Sequence, residues 1–353
     1  MRDRQLDIYR ALLMMHIPCV AHNAYWLGNA VEPYRSFVLL LIAQAFFISG
    51  SAMSLRKSKI TLWGIFVNRF KRSIAPFYIY AAVMLGGIGV LSTLLLKGTK
   101  YFRLLPFDVT AYSWQDVLDV ILCWDLPHCP FMAHLWFIPV YIILYCSLAL
   151  QTKVMKYFNR YVYLAMCVVL FLLVQGFTDL SFLRELLCYN VFTVTGYLFY
   201  KRDKERITAI IGFSALALIL ANEFIFGGHF VPLQDHKFPP DWIYLSYCVM
   251  ILSFLSLVFR RITFPYNTIF RIWNERGYTI YLYQSLVLWF VYGLHQTGLI
   301  KCSIMPVNFI LDLVLVFVLS TALSYVTYPF EKWVMRKAGL AKPKTPEQQQ
   351  VKA

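Results

Sequence analysis

Long apolar runs separated by short charged segments recur ten times along this chain of 353 residues. They lie near 8–28, 36–55, 74–96, 134–151, 159–176, 185–200, 207–226, 241–259, 278–294 and 306–327. Each approaches the ~20 residues that an α-helix needs to cross a bilayer. The pattern predicts an all-α, polytopic integral membrane helical bundle of about ten transmembrane helices. The positive residues between the runs set its direction. With the N-terminus in the cytoplasm, "RKSKITLWGIFVNRFKR", "KVMKYFNR", "KRDKER", "RRITFPYNTIFRIWNER" and the C-terminal tail fall inside. The outside loops then hold Arg35, Lys97, Lys100, Arg103, Arg184, Lys237 and Lys301, which is 7 of the 33 Lys and Arg residues. That is the positive-inside bias, so both termini are expected in the cytoplasm. Residues 1–335 are expected to form one transmembrane domain, and residues 336–353 a polar, disordered cytoplasmic tail.

Composition strengthens this picture. The chain is 59% hydrophobic and 14% charged, with a mean hydropathy of +0.59, whereas soluble domains are roughly half apolar and a quarter charged. A net charge of +15 would suggest nucleic acid in a soluble protein. Here the positives cluster between apolar spans, so the bilayer and anionic ligands at the inner face are the expected partners, and nucleic acid is not. Of eight cysteines, Cys19, Cys146, Cys167, Cys188 and Cys248 fall in apolar runs and read as small core residues. The start, "MRDRQLDIYR", is interrupted by Asp3 and Asp7 and lacks a small-residue cleavage site, so the first span is expected to be retained.

The first span holds the most unusual chemistry. "RALLMMHIPCVAH" opens with Arg10, closes with His22 and carries His16 and Pro18 between them. At 1.5 Å per residue, His22 lies roughly 18 Å deeper than Arg10. Ionisable groups are expensive in hydrocarbon, and an intramembrane one points to function. An imidazole hydrogen-bonded inside the bundle is the plain alternative. Pro18 removes a backbone hydrogen bond to the Met14 carbonyl and is placed to kink the helix before His22. Three further motifs follow. "FFISGSA" (Phe46 to Ala52) sets small residues where helix backbones can approach closely. "NRFKRSIAPFY" carries Arg69 and Arg72 at i, i+3 spacing on one face, with Pro76 four residues past Arg72. "HLWFIPVY" opens the fourth span with His134 and Trp136.

Taken in order, these stretches resemble membrane acyltransferase family 3. The resemblance rests on Asp7–Ile8–Tyr9–Arg10 followed by His22, on Phe46–Phe47–Ile48–Ser49–Gly50, and on Arg69, Arg72 and Pro76. It continues through His134–Leu135–Trp136–Phe137, Tyr281–Leu282 and Glu331–Lys332. It implies a multi-pass protein of the bacterial inner membrane that moves an acyl group, acetyl in the first instance, from cytoplasmic acyl-CoA to a glycan or lipid-linked saccharide outside. It assigns His22 as the catalytic residue and Arg10, Arg69 and Arg72 as the grip on acyl-CoA. It places His134, Trp136, Gln284 and Glu331 at an acceptor or supporting site. Arginine suits the phosphates of coenzyme A. This chain departs from the family twice. His22 lies one residue later after Arg10 than in most members, an extra residue that Pro18 could absorb, and His16 is a competing candidate at half the depth. In the ninth span, Gln284 stands where many relatives carry histidine.

Other readings remain open at this stage. A polysaccharide exporter or flippase would also need a polar interior, although not an acyl-CoA grip. "CWDLPHCPFMAH" contains Cys123, His128, Cys129 and His134, but their spacing matches no common zinc module, so no metal is expected. A Cys123–Cys129 disulfide is an alternative use of the two thiols. The outside loops 97–133 and 227–240 could cover a polar cleft. The aromatic residues Trp114, Trp124, Phe131, Trp136, Phe230 and Trp242 suit either sugar stacking or an interfacial belt. "EKWVMRK" reads as an anchor to the inner leaflet.

Overall fold

The computed structural model describes residues 3–340 apart from 26–31, 33, 39–41, 57–60, 125, 127–130, 178–179, 203, 228–231, 263 and 301–304. It is 83% helical, and with no strand among the described residues the all-α class holds. In chain order the main helices are α1 (Arg4–His16), α2 (Ile42–Ser54), α3 (Leu62–Arg69), α4 (Ala75–Ala82), α5 (Trp114–Leu122) and α6 (Phe137–Val154). They continue with α7 (Arg160–Val174), α8 (Ser181–Phe199), α9 (Glu205–Ala221), α10 (Trp242–Arg261), α11 (Thr268–Gln296) and α12 (Met305–Lys337). Among the described residues six helices are long and apolar enough to cross a membrane, including Leu62–Leu96, Ala133–Tyr157 and Pro306–Lys337. The expected spans near 8–28, 159–176, 185–200 and 278–294 coincide with helices outside that set. α7 is apolar but has only 15 residues. The expected tail begins within α12, and its residues from 341 on lie outside the described residues.

Capping explains where several helices begin. Asp3 accepts from the backbone N–H of Gln5 and Leu6 at 3.1 and 3.2 Å, satisfying donors that a helix start leaves open. Asn159 does the same for α7 and Asp241 for α10, each at 2.9 Å. α5 opens with a capping box between Ser113 and Asp116.

The chain divides into two compact units. The first holds residues up to Ile65 together with Phe137–Glu275. Its centre is the crossing of α2 with α8, where "FISGSA" meets Thr193 and Gly196. A Cβ on Gly50 would collide with the Thr193 carbonyl oxygen and lie 3.0 Å from the Tyr197 nitrogen. A Cβ on Gly196 would collide with the Phe47 carbonyl oxygen. Two glycines facing each other's backbones let the helices touch, and Phe46 stacks on Tyr189 beside them with centroids 4.7 Å apart. Gly50→Ala is therefore expected to lower stability by about 1–3 kcal/mol, because backbone cannot yield to the methyl. Gly87→Ala, with nothing within 4 Å of the new Cβ, is expected to leave it unchanged. Unfolding of the two variants in detergent, followed by tryptophan fluorescence, checks the contrast.

The second unit holds Phe66–Trp136 and the chain from Arg276 on. α4 is flanked by two π-helical segments, Phe70–Ile74 and Val83–Gly89. Gly89 makes room for the Phe107 ring, and Gly293 lets α11 approach the backbone at Arg103 and Leu104. His295 pairs with Asp312 at 2.8 Å, joining α11 to α12.

Candidate functional site

In the first unit, the candidate residues of the opening stretch sit on one helix with a break in its register. Arg10 reaches Asp7 at 3.4 Å and the side-chain oxygen of Asn274 at 3.2 Å. Asn274 in turn donates to the Tyr266 hydroxyl at 3.3 Å. Tyr9, next to Arg10, packs its ring at a tilt against Phe259 with centroids 4.5 Å apart, and its hydroxyl donates to the Phe259 carbonyl at 3.3 Å. The N-terminal end of the helix is thus held by α10 and by the start of α11. His16 donates through Nε2 to the Val38 carbonyl at 3.3 Å, which ties that ring to structure.

Beyond His16 the α-helical register stops. Ile17–His22 form a π-helical turn with Pro18 in its first positions. Proline has no N–H to give to the carbonyl four residues back, so the ladder there widens to five-residue spacing. Such a turn takes up one additional residue. It lies between Arg10 and His22. His22 is half-buried at the end of the turn, and helix resumes over Asn23–Tyr25. π-turns of this kind recur at functional sites.

The second unit repeats the device. Arg69 ends α3 and Arg72 lies inside the π-helical turn Phe70–Ile74, just before Pro76. The widened turn rotates the two arginines further apart than a regular helix would: Arg69 is half-buried and Arg72 exposed. The carbonyl of Ser73 accepts from the Tyr278 hydroxyl at 2.9 Å, which fixes the turn to α11.

α11 also gathers the other candidates of this unit. His134 points Nε2 at the carbonyls of Tyr281 and Leu282, at 3.1 and 3.3 Å, and the Tyr281 hydroxyl donates back to the His134 carbonyl. Carbonyls only accept, so Nε2 carries the proton and the lone pair of the neutral ring is on Nδ1. Glu331 is buried and accepts from Thr279 at 2.7 Å. Gln284 is fully buried on the same helix, and Trp136 caps the short turn that carries His134. The structure therefore joins His134 to the Tyr281–Leu282 pair, and Glu331 to α11. Sequence reading missed Tyr80, a buried ring on α4 whose hydroxyl donates to the Phe131 carbonyl at 2.6 Å and meets Ser285 at 2.9 Å. Pro76 was the nearby signal that this helix start is special. Phe131 is itself buried, against Phe107 at 4.6 Å and Trp289 at 5.8 Å, and so is core rather than a sugar platform.

Among the described residues, no group of three or more His, Cys, Asp and Glu is placed to hold a metal ion. Cys123 is a buried free thiol, while His128 and Cys129 lie outside the described residues, as does Phe230.

The segment 232–241 of the first unit is built around charge. Leu233 N–H donates to the Ser36 hydroxyl at 2.8 Å, Ser36 is held by Glu32, and Glu32 pairs with Arg35 at 2.8 Å. His236 Nδ1 lies 2.6 Å from Asp241. The hydrogen bond to that carboxylate raises the imidazole above its ordinary value of 6.5 despite partial burial, with Glu223 and Asp235 adding to the rise. A raised folded value means that this ion pair stabilises the loop fully below about pH 6.5. The contribution is lost as pH climbs through the higher folded value. Amide exchange at 232–241 should accordingly speed up between pH 6 and pH 9, beyond the intrinsic base catalysis of exchange, in the wild type. It should follow the intrinsic rate alone in His236→Gln.

A family model described as an acyltransferase domain matches residues 4–329. The chain belongs to membrane acyltransferase family 3. Neither a curated protein nor a solved structure matches it. The matched range spans most of both units and every candidate except Glu331, which lies two residues beyond it. Acyltransferase activity thus follows from the family. The roles of individual residues in this acyltransferase are matters of proposal.

Proposed function

We propose that this acyltransferase takes an acyl group, acetyl in the first instance, from acyl-CoA on the cytoplasmic side and passes it to a hydroxyl of a glycan or glycolipid on the other side of a bacterial inner membrane. Ten spans with both termini in the cytoplasm, forming a single transmembrane domain over 1–335, are part of the proposal. The observation that supports it best is the π-helical turn Ile17–His22. Its wider turn takes up one residue between Arg10 and His22, which supports reading the two as one line from donor grip to base.

In this reading Arg10, Arg69 and Arg72 hold the phosphates of coenzyme A, and the pantetheine arm carries the thioester inward. Asn274 and Asp7 orient Arg10. Neutral His22 takes the proton of the acceptor hydroxyl as the oxygen attacks the thioester carbonyl. A C–O bond forms, the C–S bond breaks, and the imidazolium returns the proton to the departing thiolate. A covalent acyl-histidine is the variant in which His22 itself attacks first and the acceptor then takes the acyl group. His134, Trp136, Gln284 and Glu331 support the acceptor side.

Membranes containing the protein, given acetyl-CoA and cell-envelope glycan, should release free coenzyme A thiol at a rate set by the amount of protein. A bare exporter or flippase would release none. Topology is tested separately in a background lacking Cys123, Cys129 and Cys302. A cysteine at Asp235 should react with an impermeant thiol reagent from outside, and one at Arg202 should not. Reversed labelling would put the arginines on the wrong side for coenzyme A.

A further inference from the structure

Arg276 on α11 is placed against the exposed face of α12 in a way that the acyl-transfer reading does not use. Val307, Leu311, Val314 and Val318 form an exposed stripe along α12 at alternating four- and three-residue spacing. Tyr325, 54% exposed, and Trp333 continue that stripe toward the helix's C-terminal end. An exposed apolar stripe of this length on a membrane helix faces lipid. The guanidinium of Arg276 sits over the Tyr325 ring, 4.0 Å from its centroid, with Tyr328 at 5.7 Å. Among the described residues its one hydrogen bond is to the Ser324 hydroxyl, at 3.4 Å. The Lys332 ammonium lies 5.2 Å from the other ring, that of Tyr328.

No carboxylate among the described residues lies within ion-pair distance of Arg276. The neighbouring acid, Glu331, is buried and committed to Thr279. A cation at the lipid-facing surface without an acidic partner is costly unless it reaches the headgroup layer or an anion reaches it. Its level suits that layer. Tyr325 is roughly 18 Å, twelve residues, from Lys337 at the end of α12, and Trp333 and Arg336 between them are the residue types of a membrane interface. A guanidinium fork matches two phosphate oxygens, and the rings beneath it suit the glycerol and first methylenes of an acyl chain.

We propose that Arg276, seated on Tyr325 and flanked by Lys332, is a binding site for the phosphate of an anionic glycerophospholipid in the leaflet at the C-terminal end of α12. The site is independent of the assignment of His22 and the donor arginines. The charge of Lys332 favours anionic over zwitterionic headgroups, and each basic residue near the surface is worth about fivefold in affinity.

The test uses the full chain, delipidated in detergent and titrated with phosphatidylglycerol or phosphatidylcholine of the same chain length, with bound lipid counted by native mass spectrometry. Phosphatidylglycerol should bind in preference to phosphatidylcholine. Arg276→Gln should reduce that preference about fivefold, Arg276→Lys should keep most of it, and Arg206→Gln on α9 should keep all of it. If Arg276→Gln does not fold, the rise in unfolding temperature that phosphatidylglycerol gives to the wild type and to Arg276→Lys carries the comparison. Equal binding of the two lipids, or an unchanged preference in Arg276→Gln, would overturn the proposal. So would displacement of phosphatidylglycerol by free coenzyme A, because the anion held there would then be a nucleotide phosphate.

Discussion

His22→Ala abolishes acyl transfer while leaving acyl-CoA bound: that is the largest effect the proposed mechanism expects. A sugar hydroxyl is a weak nucleophile at neutral pH, and histidine is the side chain whose ordinary pKa lies nearest the working pH. General base catalysis contributes typically about 10²–10⁴-fold, so the variant should fall by that factor in turnover with an unchanged donor dissociation constant. His16→Ala should keep substantial activity, because His16 is engaged with the Val38 carbonyl. Turnover of acetyl-CoA by purified protein, with donor binding measured by calorimetry, separates the two. An acyl group trapped on His22 without acceptor would select the covalent variant. Wild-type turnover in His22→Ala would make His22 a structural histidine.

The second large effect concerns the donor. Arg69 precedes, and Arg72 lies within, a π-turn that Tyr278 pins to α11. A hydrogen bond to a charged group is worth about 1.5–3 kcal/mol, so each Arg→Ala change should weaken acyl-CoA binding by about 10–150-fold. The double variant should bind no measurable donor while still entering the membrane. Arg→Lys at either position should recover only part of the loss, since an ammonium cannot make the two parallel bonds of a guanidinium. Unchanged affinity in the double variant would remove the donor site from this face.

Much of this architecture was legible in the sequence, for reasons that differ between its parts. The apolar runs mark helices because lipid-facing surfaces tolerate few charges. "FISGSA" marks a close crossing because only small residues let backbones meet, and Gly50 against Thr193 bears that out. Pro18 and Pro76 announced a disturbance without giving its form. A proline that removes one hydrogen bond permits a kink or a widened turn, and only the packing of the neighbouring helices selects between them. What could not be read was partnership across long sequence separation. Asn274 meets Arg10 from 264 residues away, and His134 meets the carbonyl of Tyr281 from 147 away. Nothing local to either residue reports such contacts. The Arg69–Arg72 pair shows the complementary failure, where helix periodicity set both on one face and the π-turn turned Arg72 outward.

The central claim, passage of an acyl group through the protein from one side to the other, can be measured directly. Proteoliposomes are prepared with the protein in known orientation, acetyl-labelled acetyl-CoA on the side of Arg202, and glycan acceptor only on the side of Asp235. The account predicts label on the acceptor across the membrane, coenzyme A left behind on the donor side, and neither product with His22→Ala. Label that reaches acceptor only when donor and acceptor share a side, or coenzyme A found on the acceptor side with the label, would contradict it.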